Sequence, residues 1–307
     1  MTWGIWIALY LFLAGVGAGT FITAATAEAL RRPESRPLVR GGLLISGPLV
    51  ALGIPCLLLD LGAGKTNPWR LIWLYAGNVQ SPMLWGTWLL TLFIPVALLL
   101  GWLEVDFLTP PWRGVTALRG MVRRHRTLLL QVGTLLALGV AIYTGLLLGV
   151  VHGFPLWNTS ILPMLFFVSA LSTGLAAVVV FSEITAMTAE RDGVALARQY
   201  FYVNQVHSAM IITETVFIFC WLFIVANGSV TAAQSVAMLI SGRYSVLFWI
   251  GIVFFGIVDP MLIYIYEVVM GKPLMPYAVL VSDGSVLLGG VILRYLAIAA
   301  ALPVVLT

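Results

Sequence analysis

The chain has 307 residues, of which 61% are hydrophobic and only 9% charged. A soluble domain carries about 25% charged residues, so this composition marks an integral membrane protein. The net charge of +4 comes from basic residues that mostly sit in short loops, a sign of membrane topology rather than nucleic-acid binding.

The apolar runs are continuous rather than alternating, which predicts spanning helices and not barrel strands. Eight spans are expected, at about 3–28, 41–60, 83–105, 127–150, 161–183, 203–227, 245–268 and 282–304. Span one has Glu28 as its only charge, at the far end, and small residues in its middle: Ala14, Gly15, Gly17, Ala18 and Gly19. Such a face lets another helix approach closely. Trp3, Trp6 and Tyr10 lie near its start, where rings with one polar edge suit the headgroup layer. There is no basic start and no cleavage box, so this segment reads as a retained helix rather than a signal peptide. Pro48, Pro55 and Pro95 fall inside spans two and three.

The loops alternate in charge. Loops one, three, five and seven hold Arg31, Arg32, Arg36 and Arg40, then Arg113, Arg119, Arg123, Arg124 and Arg126, then Arg191 and Arg198, then Lys272. The other loops hold only Lys65, Arg70 and Arg243. Basic loops stay in the cytoplasm, so both termini are expected outside, in the periplasm. Loop two contains NPWRLIWLYAGNVQSPMLW, which reads as an interfacial re-entrant piece or as a lid over an external site. A weak repeat aligns FLAGVGAG in span one with FVSALSTG in span five. Gly19 and Glu28 then correspond to Gly174 and Glu183 at an offset of 155 residues. Two four-helix bundles, 1–150 and 151–307, in the same orientation would give this pattern.

A charge in the hydrocarbon core costs several kcal/mol unless it is paired or hydrated. Glu214, Asp259 and Arg294 fall near mid-bilayer in spans six, seven and eight. They read either as a charge cluster that locks the second bundle, with Arg294 bridging two carboxylates, or as a proton relay. Asn204 and His207 sit below Glu214, and Glu183 and Glu267 lie near the inner ends of their spans, which extends the relay toward the cytoplasm. At the outer side, Asp60 ends span two, Tyr10 and Tyr143 share a similar depth, and His152 opens an uncharged loop. A quinol needs a hydrogen-bond partner for each ring oxygen and a route for two protons, which tyrosine, aspartate and histidine supply. Aromatic neighbours such as Trp6 and Trp85 would hold its ring.

Several motifs are discounted. Gly15-Val-Gly17-Ala-Gly19 lies inside a membrane helix and follows no strand, so it is not a dinucleotide fingerprint. The only cysteines, Cys56 and Cys220, sit in apolar runs and form no iron–sulfur ligand set. His125, His152 and His207 do not share a depth on facing helices, as axial haem ligands would, and no metal site is expected.

The whole chain resembles the NrfD/PsrC family of membrane subunits from respiratory oxidoreductases. The resemblance rests on IALYLFLAGVGAGT in span one, LLLDLG closing span two, and AIYTGLLLGVVHGFPLWNTSILPMLFFVSALSTG across spans four and five. VHSAMIITETVF and FWIGIVFFGIVDPML agree more loosely. The resemblance implies an eight-helix subunit without haem that binds menaquinone or ubiquinone. Its partners would be an iron–sulfur electron-transfer subunit and, through it, a catalytic subunit, often with molybdopterin. In the polysulfide-reductase type the pocket lies in the first bundle toward the periplasm, lined by a tyrosine, a histidine, and an asparagine or aspartate. By this resemblance Tyr143 and Asp60 are expected to take such roles here. The family's asparagine–histidine pair early in span one is replaced by Trp3, Trp6 and Tyr10. A proton-coupled transporter or proton channel with no redox role stays open as an alternative, as does a passive membrane anchor.

Overall fold

A helix that is apolar on every side buries itself, and the first span of this chain does so. The computed structural model describes residues 4–31, 35–60, 72–105, 113–188, 193–270 and 276–304. It places α1 at Ile5–Ala29, with two-thirds of its most apolar stretch buried by other helices. The remaining elements are α2 (Arg36–Asp60), α3 (Trp73–Ala76), α4 (Pro82–Leu103), α5 (Arg113–Arg124) and α6 (Arg126–Gly149). They continue as α7 (Ile161–Thr188), α8 (Gly193–Ala226), α9 (Val230–Ile240), α10 (Leu247–Val258), α11 (Asp259–Met270) and α12 (Pro276–Ala299). There is no strand among the described residues. Eight helical stretches are long and apolar enough to cross a membrane, with α10 and α11 together making one of them. Trp3, Arg32, Lys65, Arg70, Arg191 and Lys272 lie outside the described residues, as do residues 67–71 at the start of the aromatic stretch in loop two.

The glycines of α1 fix what surrounds it. A methyl group on Gly17 would overlap Val50 of α2, and one on Gly42 would come within 2.7 Å of the Thr20 carbonyl oxygen. A methyl on Gly19 would overlap the Ala170 carbonyl, and one on Gly174 would overlap the backbone of Gly19. The two residues matched by the sequence repeat therefore meet backbone to backbone where α1 crosses α7. Around this crossing α1 packs on α2 and α6, α2 on α4, and α4 on α6. Beyond it α7 packs on α8 and α12, and α12 on α10 and α11.

One end of the structure is rich in arginine. There Arg126, at the start of α6, holds Glu28 in a two-point grip of 2.9 and 3.1 Å and reaches Glu104 at 2.7 Å. This joins the ends of α1, α4 and α6 with charge-assisted hydrogen bonds. The opposite, arginine-poor face is held by uncharged bonds. The Trp157 indole N–H donates to the Ala297 carbonyl at 2.6 Å, and that of Trp221 to the Leu156 carbonyl at 3.0 Å. Val304 N–H donates to the Gly153 carbonyl at 2.9 Å, so the segment after α12 packs on the same loop.

Local chemistry explains where the helices differ from the expected spans. The α12 helix begins at Pro276 and ends at Ala299, about one and a half turns ahead of the expected 282–304. Ser282, Asp283 and Ser285, at the outset of the expected span, lie well inside the helix instead, and Asp283 and Ser285 are buried there. The α10 stretch has π-helical backbone and reverts to α-helix at Asp259. Pro260 follows at once and has no N–H to donate back into the turn above. Loop three, expected only as a basic connection, contains the helix α5. The described part of loop two contains α3, which lies along α4, with the Tyr75 and Thr91 hydroxyls 3.0 Å apart.

Candidate functional site

Two groups of buried polar side chains stand out. The first lies toward the arginine-poor face among α1, α2, α4 and α6. Tyr10 is fully buried five residues into α1, and Tyr143 is 4% exposed six residues before the end of α6. Their side chains interact with each other. The Tyr10 hydroxyl is buried with no hydrogen bond of good geometry. The Tyr143 ring lies against Gly86 of α4, where any side chain would overlap its hydroxyl end. Gly53 of α2 faces the Tyr10 ring, where a methyl group would sit in ordinary contact at 3.4 Å. Small residues on two helices thus make the space that both tyrosines fill.

Asp60 stands at the same end. Its Oδ1 accepts a hydrogen bond from the Gly4 backbone N–H at 3.3 Å. Gly4 precedes the first turn of α1, so the carboxylate satisfies one of that helix's orphan donors and favours its positive end. Gly4 is six residues before Tyr10, about 9 Å of helix rise. The structure thus gathers Tyr10, Tyr143 and Asp60 at one end of the first four spans. Trp6 and Trp85 are exposed on the outer surface, and the Trp85 indole donates to the Val79 carbonyl at 2.8 Å. His152 is exposed in the loop after α6.

The second group runs through the last four spans. Near the arginine-rich face the Asn204 amide donates to Glu267 at 2.8 Å. Glu183 is buried close to Asp283. His207 is central: its Nδ1 is 3.0 Å from Asp283 Oδ1, and its Nε2 is 3.3 Å from the Ser172 hydroxyl. Glu214 follows, in interaction range of Ser172, Ser169, His207 and Arg294. Arg294 completes the series. It is fully buried and donates through Nη1 to Ser169 at 2.5 Å and to the Gly290 carbonyl at 3.1 Å. Its guanidinium lies 5.9 Å from the Phe12 ring of α1 and 5.3 Å from that of Phe166. Its Nε and Nη2 have no hydrogen-bond partner. Asn204, His207 and Asp283 also line a cavity of about 20 Å³, enough for one water.

Arg294 makes no direct ion pair with Glu214 or Asp259 among the described residues. Its hydrogen bonds go to a hydroxyl and a carbonyl, with Glu214 as a Coulombic neighbour. Asp259 stands apart at the junction of α10 and α11, with its Oδ2 buried and unpartnered. Among the described residues no three His, Cys, Asp or Glu side chains gather as metal ligands. Sequence reasoning missed Asp283, Ser169, Ser172 and Gly86. Ser169 and Ser172 had a signal, since polar residues three apart share a helix face. Asp283 had none, because a carboxylate near a span boundary looks solvated.

The chain is similar to known proteins over most of its length. The family described as "Polysulphide reductase, NrfD" matches residues 1–305. The polysulfide reductase C subunit of Wolinella succinogenes is 29% identical, over 95% of this chain and 89% of that protein. Protein NrfD of Escherichia coli is 30% identical, over 96% of this chain and 93% of that protein. A protein NrfD homolog of Haemophilus influenzae is 25% identical, over 85% of this chain and 83% of that protein.

Proposed function

Because this multi-pass inner-membrane chain belongs to the NrfD polysulphide reductase family, we propose that it is the quinone-binding membrane subunit of a respiratory oxidoreductase. In this reading it exchanges electrons with an iron–sulfur partner subunit and, through it, with a catalytic subunit that acts on the terminal substrate. The single observation that carries the reading is the buried Tyr10–Tyr143 pair, in which one hydroxyl is left without a proper partner. A buried hydroxyl without a bond costs roughly 1–3 kcal/mol, so such a group is kept where a ligand satisfies it.

A bound quinol supplies two electrons and two protons. Tyr143, fixed against Gly86, and Tyr10 are placed to hydrogen-bond ring oxygens through their hydroxyls. The second Asp60 oxygen and the remaining lone pairs of Oδ1 can take up a proton while the bond to Gly4 holds. Buried apolar neighbours keep water from the tyrosine pair. By the positive-inside rule the arginine-rich face is cytoplasmic, so both termini and this site lie on the periplasmic side. The chain divides into halves at about residue 150, and the self-contact of Gly19 with Gly174 is what a pseudo-two-fold pair of parallel repeats would make. The partner subunit docks on the arginine-poor face, where loop 151–160 carries no Lys, Arg, Asp or Glu and is pinned by two indole hydrogen bonds.

A second activity is favoured by the polar series in the last four spans. From Glu183 and Asp283 through His207, Ser172 and Glu214 to Arg294, it offers a proton route from the cytoplasmic face toward α1. The water-sized cavity at His207 lies at its entry. Proton movement along this route would accompany quinone turnover.

Purification from native membranes in mild detergent tests the main reading. Co-purifying iron–sulfur protein together with extractable quinone is the expected result. A single subunit, active in transport and free of both, would refute the redox assignment and leave the proton route as the function.

A further inference from the structure

The helix α5, Arg113–Arg124, is built for two surfaces at once. Val115, Leu118, Met121 and Val122 recur at helical spacing and form one apolar arc, while Arg119, Arg123 and Arg124 share the other side. Protein covers only part of that arc. Val122 is 5% exposed, against 46% for Leu118 and 64% for Met121. The Arg119 guanidinium donates to the Leu103 carbonyl at 3.1 Å, which ties the helix to the end of α4. Arg123 and Arg124 are exposed. The nearby carboxylates Glu28 and Glu104 are both engaged by Arg126, and α5 itself has no acidic residue.

Membrane topology accounts for basic residues on this face, and the helix dipole accounts for arginines in a last turn. Neither accounts for Leu118 and Met121 standing uncovered beside them. We propose that α5 lies in the membrane interface as an anionic-phospholipid site, with Leu118 and Met121 among the acyl chains and Arg123 and Arg124 on phosphate headgroups. The geometry suits this assignment. The apolar and basic sides adjoin along one helix, the helix is docked at the level where the spans end, and every charged residue of the helix is basic.

The test uses the full-length protein in nanodiscs, where insertion is already complete and topology no longer contributes. Hydrogen exchange of the 113–124 amides is followed in discs of phosphatidylcholine and in discs that also contain phosphatidylglycerol. Phosphatidylglycerol should slow exchange at low salt by about fivefold for each arginine engaged, and high salt should remove the effect. Arg123→Gln with Arg124→Gln should erase the lipid difference while the spans stay protected. Leu118→Ser with Met121→Ser should raise exchange in both kinds of disc. Equal exchange in the two lipids overturns the proposal, as does phosphatidylglycerol protection that survives in the Arg123→Gln, Arg124→Gln variant.

Discussion

The first four spans and the last four bury polar groups of different kinds. Among α1, α2, α4 and α6 the buried polar side chains within the membrane-spanning lengths are hydroxyls: Tyr10, Tyr143, Thr20, Ser46 and Thr144. Charged groups there stand at helix ends, as Asp60 does with Gly4 and Arg126 with Glu28 and Glu104. Among the last four spans the buried groups include Glu183, Glu214, His207, Asp283 and Arg294. A buried charge in a bilayer is expensive and persists where function keeps it. An uncharged interior with one orphan hydroxyl suits a neutral ring with polar oxygens. A titratable series with a water-sized cavity suits protons.

The comparison can be broken at its hinge. Gly19→Leu forces a side chain into the Ala170 carbonyl and the Gly174 backbone, so α1 and α7 cannot cross. The protein should then fail to accumulate in membranes, as measured by immunoblot. Gly120→Leu, which meets nothing within 4 Å, should accumulate normally. Next in size is Tyr143→Phe, which removes one hydroxyl and leaves the ring against Gly86. Quinol-dependent turnover of the assembled complex should fall by about a hundredfold, the lower range for loss of a positioned proton-transfer group. Turnover at the wild-type rate would remove Tyr143 from the site.

Glu214→Gln separates the two regions. Quinol turnover should stay near wild type while the membrane potential generated per turnover drops, read with a potential-sensitive dye in proteoliposomes. An unchanged potential would leave the polar series as a structural lock. Arg126→Gln tests the arginine-rich end, because it leaves Glu104 buried without its cation. Thermal unfolding in detergent should show a loss of about 2–4 kcal/mol, near the range for breaking a buried ion pair. The smallest structural effect is expected at Asp60. Asp60→Asn keeps an acceptor for Gly4, whereas Asp60→Ala costs about 1 kcal/mol of helix capping. If both slow quinol oxidation, the carboxylate carries protons. If only the alanine variant does, Asp60 is an anchor for α1.

Much of this was legible in the residues themselves. Hydropathy marked eight spans, and most of their ends fall within a few residues of the helices. The GVGAG run predicted a close helix contact, and the repeat even matched the two glycines that meet. That Tyr10, Tyr143 and Asp60 gather at one end of the first four spans was legible because depth can be counted along a helix. Arg294 has Glu214 as a Coulombic neighbour but hydrogen-bonds to Ser169 and Gly290, not to two carboxylates, since a carboxylate at similar depth on another helix need not face it. Asp283 was not legible, because it stood at the very start of the expected eighth span, where a carboxylate looks solvated.

The sequence alone determined which segments enter the membrane, which ends carry arginine, and the family to which the chain belongs. These depend on local composition, summed along about 20 residues at a time. The tertiary structure alone decided that Tyr10 meets Tyr143, that His207 bridges Asp283 and Ser172, and that one arginine ties Glu28 to Glu104. Each of these pairings depends on how far a helix is rotated about its axis and where it crosses its neighbours. With apolar residues on nearly every side, these helices carry no amphipathic signal that would fix that rotation. Close packing at glycines such as Gly19, Gly86 and Gly174 fixes it instead.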